Sequence, residues 1–126
     1  MQFDSIATKR THLSLEGAPQ TGGMSSVFAS GIAGLRAADA QASARAVNIV
    51  NWQSSDYDPL VPQQTTGASD QPVVKITRAE LNGGFPFVDL ASEIVDLQMA
   101  KRAYQASAKV VRTADEMSKT LLDALA

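Results

Sequence analysis

Few side chains in this sequence have the type and spacing that catalysis or metal binding requires. His12 is the only histidine and cysteine is absent, so no second imidazole or thiolate can complete a site. Asp56 and Asp58 flank Tyr57 directly before Pro59, and a carboxylate pair could serve acid–base chemistry or bind Ca²⁺. Two acids beside a proline are more typical of a turn, and we interpret them so.

The serine and glycine candidates are equally weak. Ser25, Ser26 and Ser30 have no base nearby in the sequence. Gly83 and Gly84 lack the strand-then-helix glycine pattern of phosphate-binding loops. The sequence therefore predicts no catalytic, cofactor-binding or metal-binding residue, and a protein that is not an enzyme.

Asn48 and Asn51 are the most informative polar pair. They lie three residues apart, so on a helix they share one face. Asparagine amides at such positions bond to backbone groups or cap helix ends, which we prefer to ligand binding.

Composition favours a helical structural protein. The chain has 126 residues, enough for one domain, and 44% are hydrophobic but only 6% aromatic. Much of the apolar content is alanine, which favours helices and buries little area. The net charge of −2 argues against nucleic acid as a partner. No apolar run is long enough to predict a membrane span, and no apolar segment of the secretory type follows Lys9 and Arg10.

Four segments follow from the pattern. Residues 1–23 have no sustained period and are predicted to be a disordered extension, and residues 24–52 are predicted to form a helix that Ser25 and Ser26 cap. Residues 53–86 are rich in proline and glycine and contain short strands, and residues 87–126 are predicted to form a second helix. Residues 24–126 together form one domain.

Each predicted helix has an apolar stripe at helical spacing. Gly31 and Gly34 weaken the first helix but let another backbone approach closely. Asp89 is predicted to cap the second helix, which is too long for the first to cover, so part of it needs another subunit. The packing or subunit-interface residues are predicted to be Phe28, Ile32, Leu35, Ile49, Leu90, Ile94, Leu97, Tyr104, Val111, Met117, Leu121 and Leu125.

The segment between the helices predicts a hairpin. The strand candidates are residues 60–66 and 72–78, separated by a turn at 67–70. A lone hairpin is marginally stable in water, so we expect it to lie on the helices or on a partner. The predicted fold is mainly α, with two long terminal helices and a short β-hairpin between them.

The two helices resemble the ends of the flagellar rod and hook protein family. The resemblance at the C-terminal end runs without a gap through residues 88–98 (VDLASEIVDLQ), 102–110 (RAYQASAKV), 112–117 (RTADEM) and 120–123 (TLLD). At the N-terminal end it covers residues 30–35 (SGIAGL) and 48–51 (NIVN), where the family has Asn-Leu-Ala-Asn or Asn-Ile-Ala-Asn. Val50 replaces the family's alanine and the usual following threonine is missing.

The resemblance implies a fold in which the two terminal helices pair as a coiled coil, and it also implies a function and a location. It implies a structural subunit of the basal-body rod that transmits torque, in contact with copies of itself and other rod subunits, and without a small-molecule substrate or cofactor. It also implies passage through the flagellar export apparatus without a cleaved signal peptide, to a periplasmic position in the basal body. The short intervening segment is similar to that of the proximal-rod class, in particular rod protein C.

Two alternatives stay open. The same helices could serve a non-polymerising helical adaptor or a secretion-associated binding module. The resemblance begins at Met24, so residues 1–23 are either an extension ahead of the true initiator or a real export or tethering arm.

Overall fold

The computed structural model of the chain describes residues 23–80 and 87–126. Its elements are helix α1 (Gly23–Val50), strand β1 (Leu60–Thr66), strand β2 (Pro72–Arg78) and helix α2 (Leu90–Leu125). The predicted fold class, two long helices with a short antiparallel hairpin between them, is confirmed. None of the helices in the described ranges is long and apolar enough to cross a membrane.

Helix α1 begins one residue before the predicted start and ends two residues before the predicted end. Ser25 and Ser26 therefore lie inside its first turn, and the predicted capping role is wrong for both. The Ser26 hydroxyl donates to the Gly23 carbonyl at 2.9 Å instead of accepting from a backbone N–H. The rest of the predicted disordered extension, residues 1–22, lies outside the described residues.

Helix α2 begins with the predicted cap. An Asp89 carboxylate oxygen accepts from the backbone N–H groups of Ala91 at 3.2 Å and Ser92 at 3.4 Å. The Ser92 hydroxyl donates to the other oxygen at 2.6 Å. These hydrogen bonds favour the ionised form, the one from the Ser92 hydroxyl most, and lower the pKa of Asp89. With 36 residues against 28, α2 exceeds α1 by about 12 Å.

The two strands form an antiparallel hairpin with the predicted bounds. Leu60 pairs with Arg78 at the open end and Thr66 with Pro72 at the turn. The turn is closed by the Gly67 N–H, which donates to the Gln71 carbonyl at 2.8 Å. The hairpin packs on α1 and, within the described ranges, makes no contact with α2.

The core lies between the antiparallel helices and is built largely from small side chains. Helix α1 is covered by α2 on one side and by the hairpin on another, whereas α2, among the described elements, packs on α1 alone. The buried apolar residues of the described chain are Ala37, Ala38, Ala44, Val88, Ala100 and Ala114.

Candidate functional site

The helices meet along a small-residue seam, formed by Gly31, Gly34 and Ala38 of α1 and by Ala100, Ser107, Val111 and Ala114 of α2. A Cβ at Gly31 would lie 2.6 Å from a Val111 methyl group, and one at Gly34 would lie 2.5 Å from the Ser107 hydroxyl. The absence of side chains at both glycines therefore allows the close approach of the helices. The contacts also fix the antiparallel pairing, since positions advancing along α1 meet positions receding along α2.

At the other end of the seam lies a polar junction, formed by Arg45, Asn48, Tyr57, Leu60 and Glu93. Asn48 is fully buried, and its amide makes all four hydrogen bonds available to it. Its Nδ2 donates to the Leu60 carbonyl at 2.8 Å and to Glu93 Oε1 at 3.0 Å. Its Oδ1 accepts from the Tyr57 hydroxyl at 2.7 Å and from the Leu60 N–H at 2.8 Å. One side chain thus joins α1, α2 and the start of β1.

Only one of the two Glu93 carboxylate oxygens accepts hydrogen bonds from the described residues. Its Oε1 accepts from Asn48 and, at 3.1 Å, from Arg45, whose other terminal nitrogen lies 3.0 Å from Asp96 Oδ2. Its Oε2 is buried and has no hydrogen-bond partner among the described residues. A single guanidinium therefore bridges two carboxylates on α2, those of Glu93 and Asp96.

Tyr57 serves the junction as a hydrogen-bond donor. Burial raises the pKa of its hydroxyl, while the Leu60 backbone and the nearby Arg78 oppose that rise. The hydroxyl consequently stays protonated at neutral pH and can donate to Asn48.

The two asparagines singled out in the sequence have different environments. Asn48 lies at the centre of the polar junction, whereas the Asn51 amide only donates to the Val47 carbonyl one turn back, at 2.9 Å. Both side chains bond to backbone, but only Asn48 links separate elements.

The predicted stripe divides equally between half-buried and exposed positions. Of these residues, only Val111 is among the nearest neighbours of a Cβ placed at Gly31 or Gly34. Phe28, Leu35, Ile49, Leu90, Leu97 and Val111 are half-buried. Ile32, Ile94, Tyr104, Met117, Leu121 and Leu125 are exposed. Half of the predicted packing positions are thus exposed and available to a neighbouring molecule.

The exposed apolar side chains are densest where α2 extends past α1. Met24 and Val27 line a shallow groove of about 420 Å³ together with Val110, Thr113 and Met117 of α2. Beyond that point lies the apolar overhang, which we define as Leu121, Leu122 and Leu125, with 54%, 67% and 85% of their surfaces exposed.

The remaining candidates for chemistry do not converge. Asp56 is exposed and Asp58 is half-buried, both in the segment before β1. In residues 23–80 and 87–126 no group of three His, Asp or Glu side chains could hold a metal ion. His12, Gly83 and Gly84 lie outside the described residues.

Three residues of the polar junction were not singled out from the sequence for this role: Arg45, Tyr57 and Glu93. A signal existed, because Glu93 begins a series continued every seven residues by the small side chains Ala100, Ser107 and Ala114.

Comparison with known protein families gives a match at the C-terminal end of the chain. No curated protein matches the chain. Residues 88–124 match the family described as flagellar basal body rod FlgEFG protein C-terminal. This match supports the resemblance of the chain to the rod and hook family. The match begins at the buried Val88, includes the Asp89 cap and the polar-junction residue Glu93, and extends into the apolar overhang. Helix α2 and its cap are therefore similar in sequence to the C-terminal segment of flagellar basal body rod proteins.

Proposed function

We propose that this chain is a structural subunit of the bacterial flagellar basal-body rod, without enzymatic activity. The observation that supports this most is the rod-family match over residues 88–124, a segment whose large apolar side chains are mostly exposed. Monomeric proteins rarely expose contiguous apolar surface of this kind, and such surfaces are typical of interaction sites.

The arrangement suits an axial assembly. Apolar residues shared among neighbours distribute strain over many packed contacts, as transmission of torque requires. Contacts of a heterologous kind that do not close on themselves generate a helical filament. In this proposal the partners are copies of the chain and other rod subunits, and the export apparatus is a transient partner.

The finer assignments belong to the same proposal. The short segment between α1 and α2 supports a place in the proximal-rod class, since its described residues, 51–80 and 87–89, hold only the hairpin and its connections. A periplasmic location in the basal body, reached without a cleaved signal peptide, follows from that class.

Motility tests the proposal directly. We expect Leu121→Asp, as the only copy in the cell, to abolish swimming and rod completion, because a charge would be buried without a partner between subunits. Leu121 is 54% exposed in the isolated chain, so the monomer should keep its helical circular dichroism. Thr120→Asp, one residue earlier and also exposed, is the matched control and should swim. Normal swimming with Leu121→Asp would count against the assignment.

Purified basal bodies separate the rod subunit from the adaptor. A rod subunit should remain in the basal body after detergent extraction, detected by mass spectrometry of α2 peptides. A non-polymerising adaptor would be found in the soluble fraction, with basal bodies complete in a deletion strain.

A further inference from the structure

We infer that the polar junction sets the register in which α2 lies along α1. This inference concerns the folded chain alone and does not depend on the proposed function.

The glycine contacts of the small-residue seam do not select one register by themselves. Small side chains recur every seven residues on α2, at Ala100, Ser107 and Ala114. If α2 moved by one heptad, about 10 Å, Ala114 would replace Ser107 opposite Gly34. Ser118 would likewise replace Val111 opposite Gly31. Small residues would again meet both glycines, so the contacts at Gly31 and Gly34 permit the shifted pairing, and the cost at the seam is that Leu121 would take the place of Ala114.

The connection between the helices does not select the register either. Residues 51–89 join α1 to α2 and are long enough to allow a shift of one heptad. The hairpin within them rests on α1 and, among the described residues, makes no contact with α2. The position of the hairpin therefore does not hold α2 in place.

The polar junction, in contrast, is specific to one register. In the observed pairing Glu93 accepts from both Asn48 and Arg45, and Arg45 also reaches Asp96. After a shift of one heptad Ala100 would take the place of Glu93. The Asn48 amide, which is fully buried, would lose an acceptor that alanine cannot supply. A buried polar residue that must find its partner is an established means of fixing helix register.

The same side chain ties this register to the hairpin. Asn48 makes both backbone bonds to Leu60, the first residue of β1, and accepts from Tyr57. When α2 lies in the observed register, Glu93 accepts the remaining N–H of the Asn48 amide. The other hydrogen bonds of that amide hold the start of the hairpin. Asn48 and Glu93 act as positioning residues for two elements at once.

Competing disulfides can report the register, because the chain has no cysteine of its own. A variant with Gly34→Cys, Ser107→Cys and Ala114→Cys offers the thiol at position 34 two partners. In the observed register the Cβ positions of residues 34 and 107 are 3.2 Å apart, slightly under the usual disulfide range. Position 114 lies about 10 Å further along α2. Arg112 separates the two partners, so tryptic peptides distinguish them.

The decisive variant moves the junction by one heptad within this three-cysteine background. Glu93→Ala, Asp96→Ala, Ala100→Glu and Ala103→Asp exchange the residues pairwise and keep the composition. We expect the 34–107 link to exceed the 34–114 link at least ten-fold with the original junction. With the moved junction, the ratio should shift at least ten-fold toward 34–114.

Two controls complete the experiment, which uses monomer isolated by gel filtration under oxidising conditions. Glu116→Ala with Asp123→Ala removes two exposed acids elsewhere on α2 and should leave the ratio unchanged. Asn48→Ala should bring the two links toward equal yield if helix content is retained. A moved junction that keeps the 34–107 preference overturns the inference. Loss of both links together with helix content overturns it too, since a transferred junction should hold the helices together.

Discussion

Replacing Gly31 with alanine should destabilise this protein, although alanine is the better helix former. Gly31 lies inside α1, where the glycine-to-alanine change alone favours the helix by about 1 kcal/mol. The new methyl group would lie 2.6 Å from Val111 Cγ2. Valine in a helix has one strongly preferred χ1 rotamer, so this methyl cannot turn away freely. Overpacking of this kind costs about 1–3 kcal/mol. We therefore expect a net destabilisation of about 1 kcal/mol.

A double-mutant cycle isolates the contact. In a Val111→Ala background the opposing methyl groups are gone, and Gly31→Ala should then stabilise by about 1 kcal/mol. The predicted coupling between the two positions is about 2 kcal/mol, well within the range of directly contacting residues. Gly23→Ala is the comparison variant, because a Cβ there meets nothing within 4 Å.

Urea unfolding followed by circular dichroism at 222 nm measures all four corners of the cycle. The sign of the Gly31→Ala effect should reverse between the two backgrounds. If Gly31→Ala stabilises the protein even with Val111 present, the close approach of α1 and α2 described above is refuted.

Three further changes test other contacts. Asn48→Ala leaves several buried polar groups unpaired and should lower the unfolding free energy by about 2–4 kcal/mol. Asn51→Ala loses a single side-chain hydrogen bond, to a carbonyl of the preceding helix turn, and should lower it by less than about 1 kcal/mol. The Asp89 cap should make thermal stability depend on pH, because folding lowers the pKa of the Asp89 carboxyl. The stabilisation is fully present above the unfolded-state pKa of about 3.9 and is lost as the pH falls through the folded-state pKa. Asp89→Asn, followed by melting temperature against pH, should remove that dependence, and an unchanged profile would argue against the cap. Asp70 has a φ of 53°, so Asp70→Gly should raise the unfolding free energy by up to about 1 kcal/mol in the same urea assay, and a decrease would contradict the assigned turn.

Local chemistry was enough to predict the elements. Both strands were predicted with their observed bounds, because proline and glycine delimit them and β-branched residues fill β2. The Asp89 cap was predicted from its position before an apolar period. These features depend on residues close together in the sequence.

The polar junction could not be predicted, because its partners are distant in the sequence. Asn48 and Glu93 are separated by 45 positions, and neither residue alone indicates which buried group it will face. The error at Ser25 and Ser26 is local, by contrast: the helix begins at Gly23, so both residues lie past the cap position.

The seam was predicted only in part: Gly31 and Gly34 were expected to allow a close approach, but Ala100, Ser107 and Ala114 were not assigned to it, for a physical reason. Helices that meet through glycine and alanine approach to the short end of the usual range of interaxial distances, about 8–10 Å. At that separation large side chains have no room between the axes and lie along its sides, as Ile94 and Tyr104 do. Small residues therefore provide the pairing within the chain, while large ones remain free for contacts outside it. Substitutions in the seam should thus alter the stability of the monomer, whereas those on the apolar overhang should affect assembly.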